Sequence, residues 1–125
     1  MDENEISYKI RGAIFKVYKT LGPGLLESVY VAALEYELFK EGLEVQKEIP
    51  LPVIYEETKL ELGFRLDLLI GKKVIIEVKS VENLAEVHHK QVLTYLKLTK
   101  LKLAILVNFN VENINNGIYR KVNGL

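Results

Sequence analysis

Arg65-Leu66-Asp67-Leu68-Leu69-Ile70-Gly71-Lys72-Lys73-Val74-Ile75-Ile76-Glu77-Val78-Lys79 consists of two extended apolar runs joined by a glycine-lysine turn. A three-residue loop, Gly71 to Lys73, pairs Ile70 with Val74, Leu68 with Ile76 and Leu66 with Val78, so one face of the hairpin is wholly apolar. The other face then sets Asp67 opposite Glu77 and Arg65 opposite Lys79. A two-residue loop would mix apolar and charged side chains on both faces. The odd loop is the consistent register.

Upstream of the hairpin, Val45 and Ile49 alternate with polar residues, and Pro50 and Pro52 suit an edge strand that runs on through Val53-Ile54-Tyr55. Glu56-Glu57-Thr58 is the polar turn before a long extended run from Lys59 to Ile70, which completes a β-meander. Two helices precede it. Ile6, Ile10, Ala13, Ile14, Val17 and Leu21 form one helical stripe, which Gly22-Pro23-Gly24 ends. Leu26, Val29, Tyr30, Ala33, Leu34 and Leu38 form a second, with Gly42 just past its C-terminus, where a positive φ is wanted. Downstream, a helix is expected over about Ala85 to Thr99, a buried strand at Leu103 to Val107, and a short last strand at Ile118 to Val122 after Asn115-Asn116-Gly117. The order α, α, β-meander, α, β, β implies an α/β fold with a central mixed β-sheet flanked by helices.

The chain has 125 residues and no Cys, with 17 Lys plus Arg against 17 Asp plus Glu. That length fits a single domain over residues 1–125 with an ordinary core. Disulfides, thiolate zinc and iron–sulfur clusters are excluded, since each needs a thiol. The start MDENE is acidic and no 18 apolar residues run together, which suggests a cytoplasmic protein. The neutral total hides an asymmetry: residues 1–62 carry 7 basic and 12 acidic side chains, residues 63–125 carry 10 and 5. Lys72, Lys73, Lys97 and Lys100 in the second half are candidate phosphate contacts, although charges alternating on solvated faces would give the same tally.

Two carboxylates facing each other across a strand pair repel by about 4 kcal/mol at ~4 Å in an effective dielectric of ~20. A hard divalent ion, Mg²⁺ or Mn²⁺, would offset this by taking Asp67, Glu77 and a backbone carbonyl such as that of Val78 as ligands. Lys79, on the same face as Glu77, can orient a water for attack on a phosphodiester and stabilise the charge that grows on the phosphate oxygens. A plain cross-strand ion pair has the same spacing. The apolar surroundings favour a functional role, because a carboxylate pair there is costly without one.

These residues resemble the PD-(D/E)xK nuclease superfamily, with Asp67 as the D and Glu77-Val78-Lys79 as the ExK. Gly24-Leu25-Leu26-Glu27-Ser28-Val29-Tyr30 resembles the signature of the small GxxExxY protein family, and Gln91-Val92-Leu93-Thr94-Tyr95 resembles the QxxxY helix motif of RecB-type exonucleases. The similarity extends from about Ile6 to Val122. It implies a restriction-endonuclease-like core, with Glu27 reaching the metal site from a helix as a third carboxylate; a helix-start charge is the other reading of that residue. Tyr30 is expected in the core. Gln91 and Tyr95 are expected to contact the DNA backbone, His88 matches a position often His in the small family, and His89 is read as surface. Leu66 stands where the superfamily often has Pro, which changes no ligand.

The resemblance therefore implies a Mg²⁺- or Mn²⁺-dependent nuclease acting on DNA, with RNA as another possible substrate. A homo-oligomer or a partner protein would extend the short groove of so small a domain. Junction resolvases share the core, and the Gln91/Tyr95 pair favours the exonuclease branch. The alternative from another class is a non-catalytic nucleic-acid-binding or protein-interaction module that keeps the nuclease fold.

Overall fold

The computed structural model describes residues 1–125, with side chains at all positions except 61 and 62. Helix α1 (Glu3–Leu21) opens on a reciprocal cap, in which the Asp2 carboxylate accepts the Glu5 N–H at 2.8 Å and the Glu5 carboxylate accepts the Asp2 N–H at 3.1 Å. It buries Ile6, Ile10, Ala13, Ile14 and Val17, as the spacing implies, and stops at Gly22 with φ +70°. Helix α2 (Glu27–Lys40) buries Tyr30, Val31, Leu34 and Leu38. The expected second stripe is corrected at its start: Leu26 lies outside the helix and is 74% exposed, Val29 faces out, and Val31 faces in. Gly42 has the left-handed φ that the chain reversal after α2 requires.

Strands β1 (Val45–Tyr55), β2 (Thr58–Ile70), β3 (Val74–Lys79), β4 (Leu103–Asn108) and β5 (Ile118–Val122) form one sheet in the order β1-β2-β3-β4-β5. Only β3 and β4 run parallel, joined through helix α3 (Glu86–Thr99), so the sheet is mixed. The proline-bearing β1 is an edge, as expected. Leu68, Ile70, Val74, Ile76 and Val78 pack with Leu103, Ile105 and Val107 against α1 and α2, while Ile75, Ala104 and Leu106 pack against Val92, Tyr95 and Leu96 of α3. Each fully buried aliphatic side chain of this kind contributes about 1.5–3 kcal/mol relative to an exposed one.

The β2–β3 hairpin has the three-residue loop, with Ile70 paired to Val74 and Leu68 to Ile76. The next pair differs from the expectation. Leu66 does not share a face with Leu68; it packs on the α3 side with Ile75 and Tyr95. The cause lies in the neighbouring strand, where Glu48 adopts φ +53° and the ladder passes from Lys47↔Leu68 to Ile49↔Leu66 without pairing Glu48 to Asp67. Val45 before this point packs towards α1 and α2, whereas Ile49 and Leu51 beyond it pack towards α3. Both strands therefore turn over at Glu48 and Asp67, and β2 leaves its ladder with β3 there.

Candidate active site

Asp67 sits at this turnover, and its Oδ2 accepts the Val78 N–H at 2.8 Å. The side chain fills a place in the ladder that a backbone carbonyl would otherwise take. The Lys79 carbonyl accepts the Phe109 N–H at 2.9 Å, so the backbone groups of Lys79 point to β4 and those of Val78 point to β2. The Val78 carbonyl is thus on the Asp67 side of the strand.

Glu77 lies between Ile75 and Lys79 on the α3 side and is only 4% exposed. Burial first, and then the charge of Asp67, push its carboxyl up to about 8. Burial also raises Asp67, but the Val78 N–H, Glu77 and Lys79 hold that rise back. The two carboxyls titrate as a pair, each raised above its ordinary value chiefly by burial. Glu77 Oε1 is buried with no hydrogen-bond partner.

Lys79 is half-buried at the end of β3 and lowers the proton affinity of both carboxyls. Glu27 is the first residue of α2; its charge reaches Asp67 and raises it, while its Oε2 accepts the Ser80 N–H at 3.4 Å. Ser80 closes a clasp by donating its hydroxyl to the Leu25 carbonyl at 2.6 Å. Tyr30 is fully buried, as expected, and holds the same loop from below. Its hydroxyl donates to the Gly22 carbonyl at 2.6 Å and accepts the Leu25 N–H at 3.1 Å, while its ring stacks on Phe109 at 4.2 Å. In Gly24-x-x-Glu27-x-x-Tyr30 the glycine takes a φ of +97° that a side chain resists, the tyrosine anchors the loop, and the glutamate is delivered to the end of β3.

Tyr95, on α3, stands over the pair. Burial and the charges of Glu77 and Asp67 raise its hydroxyl far above the usual range, so it remains a neutral phenol. Its ring meets Phe64 edge-on at 5.2 Å. Gln91, one turn earlier, is half-buried. His88 plays a structural part, since its Nδ1 accepts the Ala85 N–H at 3.0 Å and caps the start of α3. His89 is not simply surface, because its ring packs edge-on against Tyr119 at 4.9 Å.

A family model described as the PD-(D/E)XK nuclease superfamily matches residues 4–121. The chain belongs to that superfamily. No curated protein and no solved structure matches it. Members of the PD-(D/E)XK superfamily typically use Mg²⁺, and the donor set of this member suits that ion. Two carboxylates and a carbonyl are hard oxygen ligands, and the orphaned Glu77 Oε1 is an acceptor whose burial costs about 1–3 kcal/mol without a partner. Among the described residues no three Asp, Glu or His side chains close into a metal-binding cluster. Asp67 and Glu77 are brought together, whereas Glu27 rests on Ser80. Mg²⁺ commonly takes one or two carboxylates and completes its shell with water and substrate phosphate, so the pair suffices.

Four expected phosphate contacts lie elsewhere in this PD-(D/E)XK domain. Lys72 and Lys73 precede β3, and Lys97 and Lys100 lie at the C-terminal end of α3, all at the end of the sheet opposite Glu77 and Lys79, roughly 15 Å away along β3. Two supporting residues have no role assigned from the sequence. One is Ser80; the other is Asn108, 3% exposed, whose amide accepts the Val81 N–H at 3.0 Å and donates to the Val81 carbonyl at 2.8 Å. Asn108 pins the chain two residues after Lys79. Among the described residues no helix is long and apolar enough to cross a membrane.

Proposed function

We propose that this superfamily member is a divalent-cation-dependent nuclease that hydrolyses phosphodiester bonds of DNA. One observation carries the reading: the buried Glu77, with an unpartnered oxygen, is brought together with the half-buried Asp67 beside Lys79, at a point where the sheet opens. Such a pair is costly to a fold that does not use it. Asp67, Glu77 and the Val78 carbonyl would hold Mg²⁺ or Mn²⁺, with Glu27 able to add a carboxylate from α2. The bound cation would supply an activated water and neutralise charge on the phosphate.

The residues of the chain divide the remaining work. Lys79 orients the attacking water and stabilises the phosphate oxygens as their charge grows. Glu77 gives up its proton when positive charge arrives, so cation uptake and proton release are linked. Tyr95 offers a neutral phenol over the pair, Gln91 offers an amide to the nucleic-acid backbone, and the Nδ1 of His88 is already engaged in the cap. The Gly24–Tyr30 loop and the Gln91/Tyr95 helix favour the GxxExxY group and the RecB-like exonuclease branch.

The test is cleavage of linear and branched DNA with Mg²⁺ or Mn²⁺, repeated with a chelator and with Lys79→Ala. The chelator should abolish turnover, and the substitution should lower it by about 10²–10³-fold. Turnover that survives both changes excludes the mechanism. RNA cleaved in preference to DNA would keep the chemistry and change the substrate.

A further inference from the structure

Helix α2 is apolar on two sides. Its inner stripe, Tyr30, Val31, Leu34 and Leu38, is in the core. Its outer side carries Val29, Ala32, Tyr36 and Phe39 at spacings of three, four and three, and here the side chains face solvent: Val29 is 40% exposed, Tyr36 63% and Phe39 73%. A helix that is apolar all round is ordinarily covered all round. From the geometry we infer that this outer stripe is the contact by which two copies of the chain form a two-fold dimer, α2 packing antiparallel on α2.

Three features favour a second copy. The stripe is symmetric about Leu34, so an antiparallel pair sets Val29 against the partner's Phe39 and Ala32 against the partner's Tyr36, a small residue facing a large one each time. Ion pairs border it on both sides, Lys47–Glu35 at 3.4 Å on one and Lys16–Glu37 at 3.0 Å with Lys40–Glu37 at 3.4 Å on the other. Their three lysines and two glutamates form a polar rim of mixed charge around the stripe, as at the edge of a protein–protein contact. The third feature is area. Aromatic side chains carry about 150–250 Å² each, so the stripe with Leu26 offers on the order of 500 Å² per copy. A two-fold contact removes about twice that, the lower bound for a specific interface, so the expected dimer is of moderate affinity.

Sedimentation equilibrium of the full chain tests this without reference to nuclease activity. The wild-type protein should show a reversible monomer–dimer equilibrium within the range of roughly 1–100 μM typical of small interfaces. Phe39→Lys and Val29→Glu should each raise the dimer dissociation constant at least tenfold, with unchanged circular dichroism, because both side chains are already solvent-exposed. The double variant V29E/F39K should recover most of that loss, since each new glutamate would face the partner's new lysine. A wild-type chain that stays monomeric at the highest concentration, a dimer indifferent to Phe39→Lys, or a double variant no better than the singles would each overturn the proposal. The first of these outcomes would leave the stripe to a different protein.

Discussion

Asp67 Oδ2 accepts the Val78 N–H at 2.8 Å, so the carboxylate that presents oxygen to the site also closes the ladder where β2 parts from β3. Function and fold can be separated at this side chain. Asp67→Asn keeps a carbonyl oxygen for Val78 and should change stability by less than about 1 kcal/mol, while lowering cleavage at least 100-fold. Asp67→Ala leaves the part-buried Val78 N–H unsatisfied and should cost about 1–3 kcal/mol more. Urea denaturation of the two variants side by side checks the difference.

Glu77 sets the pH dependence of stability in chelator. Its carboxyl is near 8 in the folded chain against an ordinary value of 4.5, so between those values the folded state holds a proton that the unfolded state has released. Stability must therefore fall as pH rises across that window and level off above about 8; Asp67, also raised, acts in the same direction. Glu77→Gln cannot titrate. It should match the wild type near pH ~4 and exceed it near pH ~9 by up to a few kcal/mol. Thermal denaturation across that range checks the sign; a wild type that gains stability with pH relative to the variant contradicts it.

The hairpin was legible because its period of two and its loop length leave one register that segregates apolar from charged side chains. That pattern located Ile70↔Val74 and Leu68↔Ile76 and put Asp67 beside Glu77. It failed at Leu66 because the turnover depends on a positive φ at Glu48, a residue whose type gives no sign of it. Helix α2 was misread at Leu26 and Val29 for a related reason: with apolar residues on two sides, periodicity alone does not say which side is the core. The capping of α3 by His88, the clasp of Ser80 and the pinning of Val81 by Asn108 are contacts between distant or irregular backbone segments. Composition does not encode them.

Tyr30 ties the loop that ends at Glu27. Tyr30→Phe removes one hydrogen bond given to Gly22 and one taken from Leu25, and should cost about 1–3 kcal/mol while keeping the stack on Phe109. The loosened loop carries Leu25, so a fall in cleavage larger than the fall in folded fraction is expected. Activity at fixed temperature, measured alongside the melting curve, checks this.

Asn108 is the other support that can be tested. Asn108→Ala strips Val81 of a donor and an acceptor and the Asn110 N–H of its acceptor, at a cost of about 2–4 kcal/mol. Asn108→Asp keeps the acceptor but buries a charge and loses the donor, so it should be no milder. Amide hydrogen exchange at Val81, faster in both variants than in the wild type, reports the loss directly.

The most direct test of the central claim is Mn²⁺ binding, followed by electron paramagnetic resonance, for the wild type and Glu77→Gln. One Mn²⁺ per chain is expected for the wild type, with affinity that rises with pH towards 8 and falls at least tenfold in the variant. A wild-type chain that takes up no Mn²⁺ at millimolar concentration, or binding that the variant leaves unchanged, contradicts the assignment of the Asp67–Glu77 pair as a cation site.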